Sequence, residues 1–223
     1  MDCFEESWNP LLNGFEQARA ANLLSDEVRV EFIARYGFAV CTDAALRAIA
    51  DVSPRGVVEI GAGTGYWARL LHNRGVDVVA FDVAPPSRRQ NKWFAGTTTW
   101  FPVELADETI VSRHLERTLL MVWPTRDQVW PADAAELFYA VGGTTFVFVG
   151  EGPGGRTGDD RFHAILGHLD RCYGCAHGVV DHACIIGTPV LWRPITEVPL
   201  PNWPGTSDTL RIYTRIDEPV VVI

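Results

Sequence analysis

Residues 57–71 read VVEIGAGTGYWARLL, an apolar strand-like run that breaks at Gly61, Gly63 and Gly65 and continues as a helix-like run. A glycine-rich strand-to-helix turn brings backbone close to a ligand and aims a helix N-terminus at it. The junction therefore constrains both the fold and what the chain holds.

The pattern around the junction alternates. Amphipathic positions between 11 and 36 (Leu11, Phe15, Leu23, Val28, Phe32) predict one or two helices, and TDAALRAIA a third, capped by Thr42 or Asp43. Pro54 and Gly56 in SPRG end that helix. Strands are predicted at 57–60 and 76–82, in RTLLMVWP and in TTFVFVGEG, with a short extended piece at 100–104. Helices are predicted at 65–74, near 107–116, in PADAAELFYAVG and in DDRFHAILGHLDR. Strands apolar on both faces and separated by helices predict an α/β chain with a mostly parallel sheet covered on both sides. Beyond residue 172, GVVDHACIIG, PVLWRPITEV and TLRIYTRI are strand-like with no helix between them, which predicts an antiparallel hairpin at one sheet edge. The expected division is an N-terminal helical cap over 1–53 and a Rossmann-like domain over 54–223.

The glycine spacing narrows the ligand. A dinucleotide fingerprint is G-x-G-x-x-G, but Tyr66 stands where the third glycine would fall. No Lys-Ser/Thr pair follows, so the turn is not a Walker A loop either. Glu59, two residues before the first glycine, would repel a pyrophosphate and attract a cation. S-adenosylmethionine carries a sulfonium and an ammonium, and its carboxylate suits the helix N-terminus opened by Thr64 and Gly65. Asp82 closes the second strand, where an acidic side chain accepts the ribose hydroxyls of an adenosine.

VVEIGAGTGYWA together with VVAFD resembles the cofactor motifs of the class I S-adenosylmethionine-dependent methyltransferases. The resemblance covers about residues 57–150 and implies a seven-stranded sheet whose last strand is antiparallel. It implies that Glu59 and the Gly61, Ala62, Gly63 and Gly65 turn hold the methionine portion, that Asp82 holds the ribose, and that Val83 covers one side of the adenine. For the acidic group that the resemblance implies beside the adenine amine, the chain offers loose counterparts in Glu104 or Asp107. Tyr36, in ARYGFAV, either reaches the cofactor carboxylate from the cap or packs in the core.

The resemblance also places the acceptor over the ends of the fourth and fifth strands. The fourth ends in Trp123-Pro124, whereas nucleic-acid amine methyltransferases often carry Asp/Asn-Pro-Pro-Tyr/Phe there. Trp123 either stacks on a planar acceptor, shields the sulfonium, or packs. Trp100, Trp130, Trp192 and Trp203 suit an apolar substrate pocket or a core equally. Glu151 ends the fifth strand and His163 follows a helix start capped by Asp159 or Asp160, which makes this pair the candidate general base. The basic loop with Arg88, Arg89 and Lys92 reads as a solvated face, with contact to a substrate anion as the alternative.

Cys172, Cys175, His177 and His182 offer donors that zinc accepts, yet the compressed C-x2-C-x-H-x4-H spacing lacks a finger-like loop, so no metal is expected. A formal charge of −9 from 19 basic and 28 acidic residues argues against nucleic acid as partner. No apolar run approaches the roughly 20 residues of a membrane span. The acidic start lacks the order of a signal peptide, and the expectation is a cytoplasmic enzyme with reduced thiols. Its expected activity is methyl transfer from S-adenosylmethionine to a small molecule. The alternatives are a nicotinamide-dependent oxidoreductase, a non-catalytic partner subunit, and an enzyme using S-adenosylmethionine for other chemistry.

Overall fold

In the computed structural model, residues 8–169 and 188–221 are described. Three helices lead the chain, α1 (Pro10–Ala20), α2 (Asp26–Tyr36) and α3 (Asp43–Asp51). Each starts at a residue whose side chain accepts a first-turn amide: Asn9 from Leu12, Ser25 from Val28 and Thr42 from Ala45. Such caps satisfy donors that have no partner inside the helix.

The alternating section follows as β1 (Val57–Ile60), α4 (Tyr66–His72), β2 (Val78–Asp82) and β3 (Glu104–Leu105). A 3-10 helix (Glu108–Arg113) leads on to β4 (Thr118–Val122), α5 (Trp130–Ala140), β5 (Thr145–Gly150) and α6 (Asp160–Ile165). The segment expected as a helix near 107–116 is this single 3-10 helix. Asp107 caps it through Thr109, and the β-branched run Thr109, Ile110, Val111 gives little support to a longer α-helix. Helix α6 stops earlier than its apolar pattern predicts, with Gly167 following at φ 70°.

The chain closes with β6 (Pro189–Pro199) and β7 (Thr209–Val221), an antiparallel pair with two register shifts. The seven strands are ordered β3-β2-β1-β4-β5-β7-β6. The first five are parallel, with Val57 opposite Val78 and Thr118, while β7 runs antiparallel to β5. Strand-like residues 178–187 lie outside the described residues, as do Cys3, Cys172, Cys175, His177, His182 and Cys184.

Strand side chains alternate between two apolar layers. Val57, Leu120, Val147, Val149, Leu210 and Ile212 face a layer shared with α1, α3 and α4. Val58, Ile60, Leu119, Met121, Phe146 and Phe148 face the other, under α5 and α6. Glu59 shares the face of Val57, so the same alternation sends a carboxyl group into the first layer beside α4. Among the described residues, no helix is long and apolar enough to cross a membrane.

Candidate active site

The turn after β1 is made by backbone. Gly61 sits at φ 64° and Gly63 at φ 53°, and a Cβ on them would come within 2.9 Å of Trp130 and 2.8 Å of Phe94. Side chains are excluded there by conformation and by space together. Asp82 locks the turn from the next strand: Oδ2 accepts from Gly63 N at 2.9 Å and Oδ1 from Ala84 N at 2.7 Å. Thr64 donates its hydroxyl to the Tyr36 carbonyl at 2.8 Å, tying the turn to the end of α2.

Glu59 lies beneath this turn, 1% exposed, and its Oε2 has no hydrogen-bond partner among the described residues. Burial pushes its carboxyl up to about 8, with the Asp82 charge adding to the shift against an opposing backbone hydrogen bond from Ala68. An unpartnered buried carboxyl oxygen is costly, and a cationic ligand is the group that satisfies it best.

A cavity of about 770 Å³ opens above Glu59, spanning the C-terminal ends of β1, β2 and β4 and the loops after β4 and β5. Of the residues read from the sequence, Tyr36, Glu59, Gly61, Ala62, Gly63, Asp82, Val83 and Trp123 line it. Gly65 caps α4 instead, off the wall. Glu104 pairs with Phe81 in β3 and faces solvent, and of the two acidic candidates it is Asp107 that lines the cavity.

Glu151 and His163 are not brought to the cavity. The Glu151 carboxylate accepts from Arg156 N at 2.6 Å and Ser207 N at 3.1 Å, fixing the loop after β5. His163 is buried, with Nε2 on the Thr157 carbonyl at 2.8 Å and Nδ1 3.0 Å from His168 Nδ1. Both groups, read from the sequence as the candidate general base, are engaged by these partners in the structure. Tyr36 takes part in the aromatic packing, stacking on Trp100 at 5.4 Å, while also reaching the wall.

Several lining residues were not singled out from the sequence. Phe38 stacks on Trp123 with centroids 4.5 Å apart and planes at 4°. Trp93, 59% exposed, comes from the basic loop, whose Lys92, named from the sequence, also lines the cavity. Arg126, Gln128 and Arg156 complete the far wall with Trp130. Of the other tryptophans, Trp192 and Trp203 are core residues. An apolar residue inside the basic loop, Trp93, was the one available signal. Among the described residues, no group of three or more His, Cys, Asp or Glu forms a metal site.

The geometry also separates two cofactor classes. A dinucleotide-binding sheet runs 3-2-1-4-5-6, whereas here the antiparallel β7 lies between β5 and β6. Tyr66 gives its hydroxyl to Asn9 Oδ1 at 2.8 Å and accepts from Leu11 N, so this face of α4 is committed to the N-terminal helices.

The strand order, with β7 alone reversed against β5 and β6, is that of the class I S-adenosylmethionine-dependent methyltransferase fold. No protein-family model matches the chain, and no curated protein matches it. Among solved structures, it is similar to magnesium protoporphyrin IX methyltransferase from Synechocystis with bound SAM, at 11% identity and TM-score 0.45, over 78% of this chain and 76% of that one. It is also similar to Burkholderia thailandensis 1,6-didemethyltoxoflavin-N1-methyltransferase, at 13% identity and TM-score 0.44, over 95% and 92%. A third is an rRNA methylase from Streptococcus thermophilus, at 13% identity and TM-score 0.40, over 78% and 95%.

Proposed function

We propose that this protein binds S-adenosylmethionine at the glycine turn and methylates a small molecule held at the ends of β4 and β5. The observation that carries the reading is the buried, unpartnered Oε2 of Glu59 on the floor of a glycine-walled cavity. The donor set fits the cofactor's chemistry: a carboxyl group without a partner for a cationic amino-acid portion, and Asp82 for ribose hydroxyls. Asp82 already accepts two amides, and a carboxylate has about four lone-pair sites, so capacity remains. Val83, 71% exposed at the cavity wall, supplies an apolar surface for a purine.

Held by Glu59, the glycine turn and Asp82, S-adenosylmethionine would supply an electrophilic methyl group for in-line transfer. The chain's own part is positioning. Phe38 and Trp123 wall the cavity with stacked rings, and Glu151 holds the 152–158 loop in place. Holding two reactants in line accounts for a large share of the barrier in such a displacement, so the reading requires no base from Glu151 or His163. Residues 1–53 act as a cap and 54–223 as the binding domain. The charge of −9 supports a small acceptor over nucleic acid.

The test is calorimetric titration with S-adenosylmethionine, S-adenosylhomocysteine and NAD on wild type, Glu59→Gln and Asp82→Asn. Micromolar binding of the first two, weakened about tenfold or more in each variant, is the expected result. Binding of NAD alone, or of nothing, overturns the reading.

A further inference from the structure

The charges around the cavity are unevenly distributed, and Lys92 is the lining cation on the carboxyl side. The cavity's carboxyl groups, Glu59, Asp82, Asp107 and Glu108, all stand at the ends of β1 to β3. The wall beyond β4 and β5 carries only cations among its charged residues, Arg126 and Arg156, in a chain of net charge −9.

These two arginines are placed together by the fold. Their neighbours Thr125 and Thr157 form an antiparallel bridge between the two loops, extended by Gly158 N to the Pro124 carbonyl at 3.1 Å. Glu151 holds the Arg156 amide from below. Of the nearby carboxylates, Glu151 accepts from two backbone amides and Asp208 from Trp123 Nε1 at 2.6 Å, while Asp208 also lies within the field of Arg29 and Arg156. Arg156 has no carboxylate within ion-pair distance among the described residues, and Arg126 has only the exposed Asp127 at 3.3 Å. A third guanidinium, Arg29, stands 5.8 Å over the Trp123 ring.

Aromatic surface flanks this cationic wall. Trp93 is 59% exposed at the rim, and Trp123 and Trp130 line the interior. Flat apolar walls select a planar ligand, and paired arginines select a carboxylate, which matches the guanidinium fork. We infer that the acceptor is a planar aromatic acid, its ring against the indole surface of the cavity and its carboxylate on Arg126 and Arg156. The inference rests on the proposed function, since it takes the glycine-turn end as the cofactor's place.

The test titrates the full chain with 2-naphthoate and with 2-naphthamide, its uncharged counterpart, each with and without S-adenosylhomocysteine. Naphthoate binding at least about tenfold tighter than the amide, reduced by a similar factor in Arg156→Gln and in Arg126→Gln, is expected. S-adenosylhomocysteine affinity should stay unchanged in both variants, which also reports that they fold. Equal affinity for acid and amide, no naphthoate binding, or arginine variants without effect overturns the inference. Failure of S-adenosylhomocysteine to bind overturns the cofactor reading separately, because the naphthoate comparison is read without it as well.

Discussion

Trp123 donates its indole N–H to Asp208 Oδ1 at 2.6 Å, a bond that joins the end of β4 to the residue before β7. The indole is thereby held flat against Phe38, although Trp123 itself sits at φ 52°, in the left-handed region that bulky residues avoid. The surrounding structure must over-determine such a conformation.

Asp208→Ala removes the acceptor and leaves the indole N–H of a half-buried ring without its partner. The expected cost is about 1–3 kcal/mol of stability, with loss of near-ultraviolet dichroism from the stacked rings. Burial raises the Asp208 carboxyl to about 6, against the lowering by Trp123 and alongside the raising by Glu151. Its raised value means that the group favours folding below its unfolded pKa near 4, and that this contribution is lost as pH rises through about 6. The benefit of wild type over the variant should therefore shrink between those values, as followed by thermal melts.

Glu59→Gln separates stability from binding. Its carboxyl titrates near 8 in the fold, against about 4.5 unfolded, so ionisation disfavours the native state as pH rises across that range. The amide cannot ionise. The variant should melt above wild type at pH 8, and the difference should close towards pH 5. A cationic ligand prefers the ionised carboxylate, so wild-type affinity for S-adenosylmethionine should climb with pH from about 6 to 7.5, by no more than about tenfold per unit. Calorimetry on Glu59→Gln should give weaker binding without that slope.

A buried chain behind β5 makes an acid-side prediction. Thr157 carbonyl accepts from His163 Nε2, which leaves His163 Nδ1 to accept from His168 Nδ1, and His168 Nε2 to accept from Tyr213 Oη at 2.5 Å. Every proton in this chain is assigned when both imidazoles are neutral. Burial, then the neighbouring His163, lowers His168 to about 3. The folded value lies below the unfolded value near 6.5, so stability present above 6.5 is lost as pH falls towards 3. Tyr213→Phe should cost about 1–3 kcal/mol at neutral pH by leaving His168 Nε2 without its donor. Urea titrations at stepped pH would check both statements.

What the sequence made legible was local. The β1 turn, Glu59 and Asp82 lie within a few residues of their own strands, and alternation alone predicts which layer Glu59 enters. Glu151 and His163 were legible as positions near a strand end but not as occupied groups. Ser207 and His168, which take part in occupying them, lie in another segment and beyond the helix. The Arg126–Arg156 wall depends on a bridge between two loops that carries no local pattern. Likewise, nothing in composition distinguishes Trp192, sealed against Phe138 and Phe146, from Trp93 at the rim.

Gly61 provides the strictest test of the turn. At φ 64° an alanine there costs about 1–2 kcal/mol from backbone conformation alone. Its Cβ would also stand 2.9 Å from Trp130 Cη2, a ring that begins α5 and lines the cavity. Gly61→Ala should therefore lose both stability and cofactor affinity, since the ring or the turn must shift. Trp130→Ala opens that space but leaves φ unchanged. In the Trp130→Ala background the alanine should cost less than in wild type, with the residual cost reporting the backbone part. A double-mutant cycle on melting free energies reads the difference directly. Coupling near zero would mean that Trp130 already yields, and that conformation alone keeps glycine at this position.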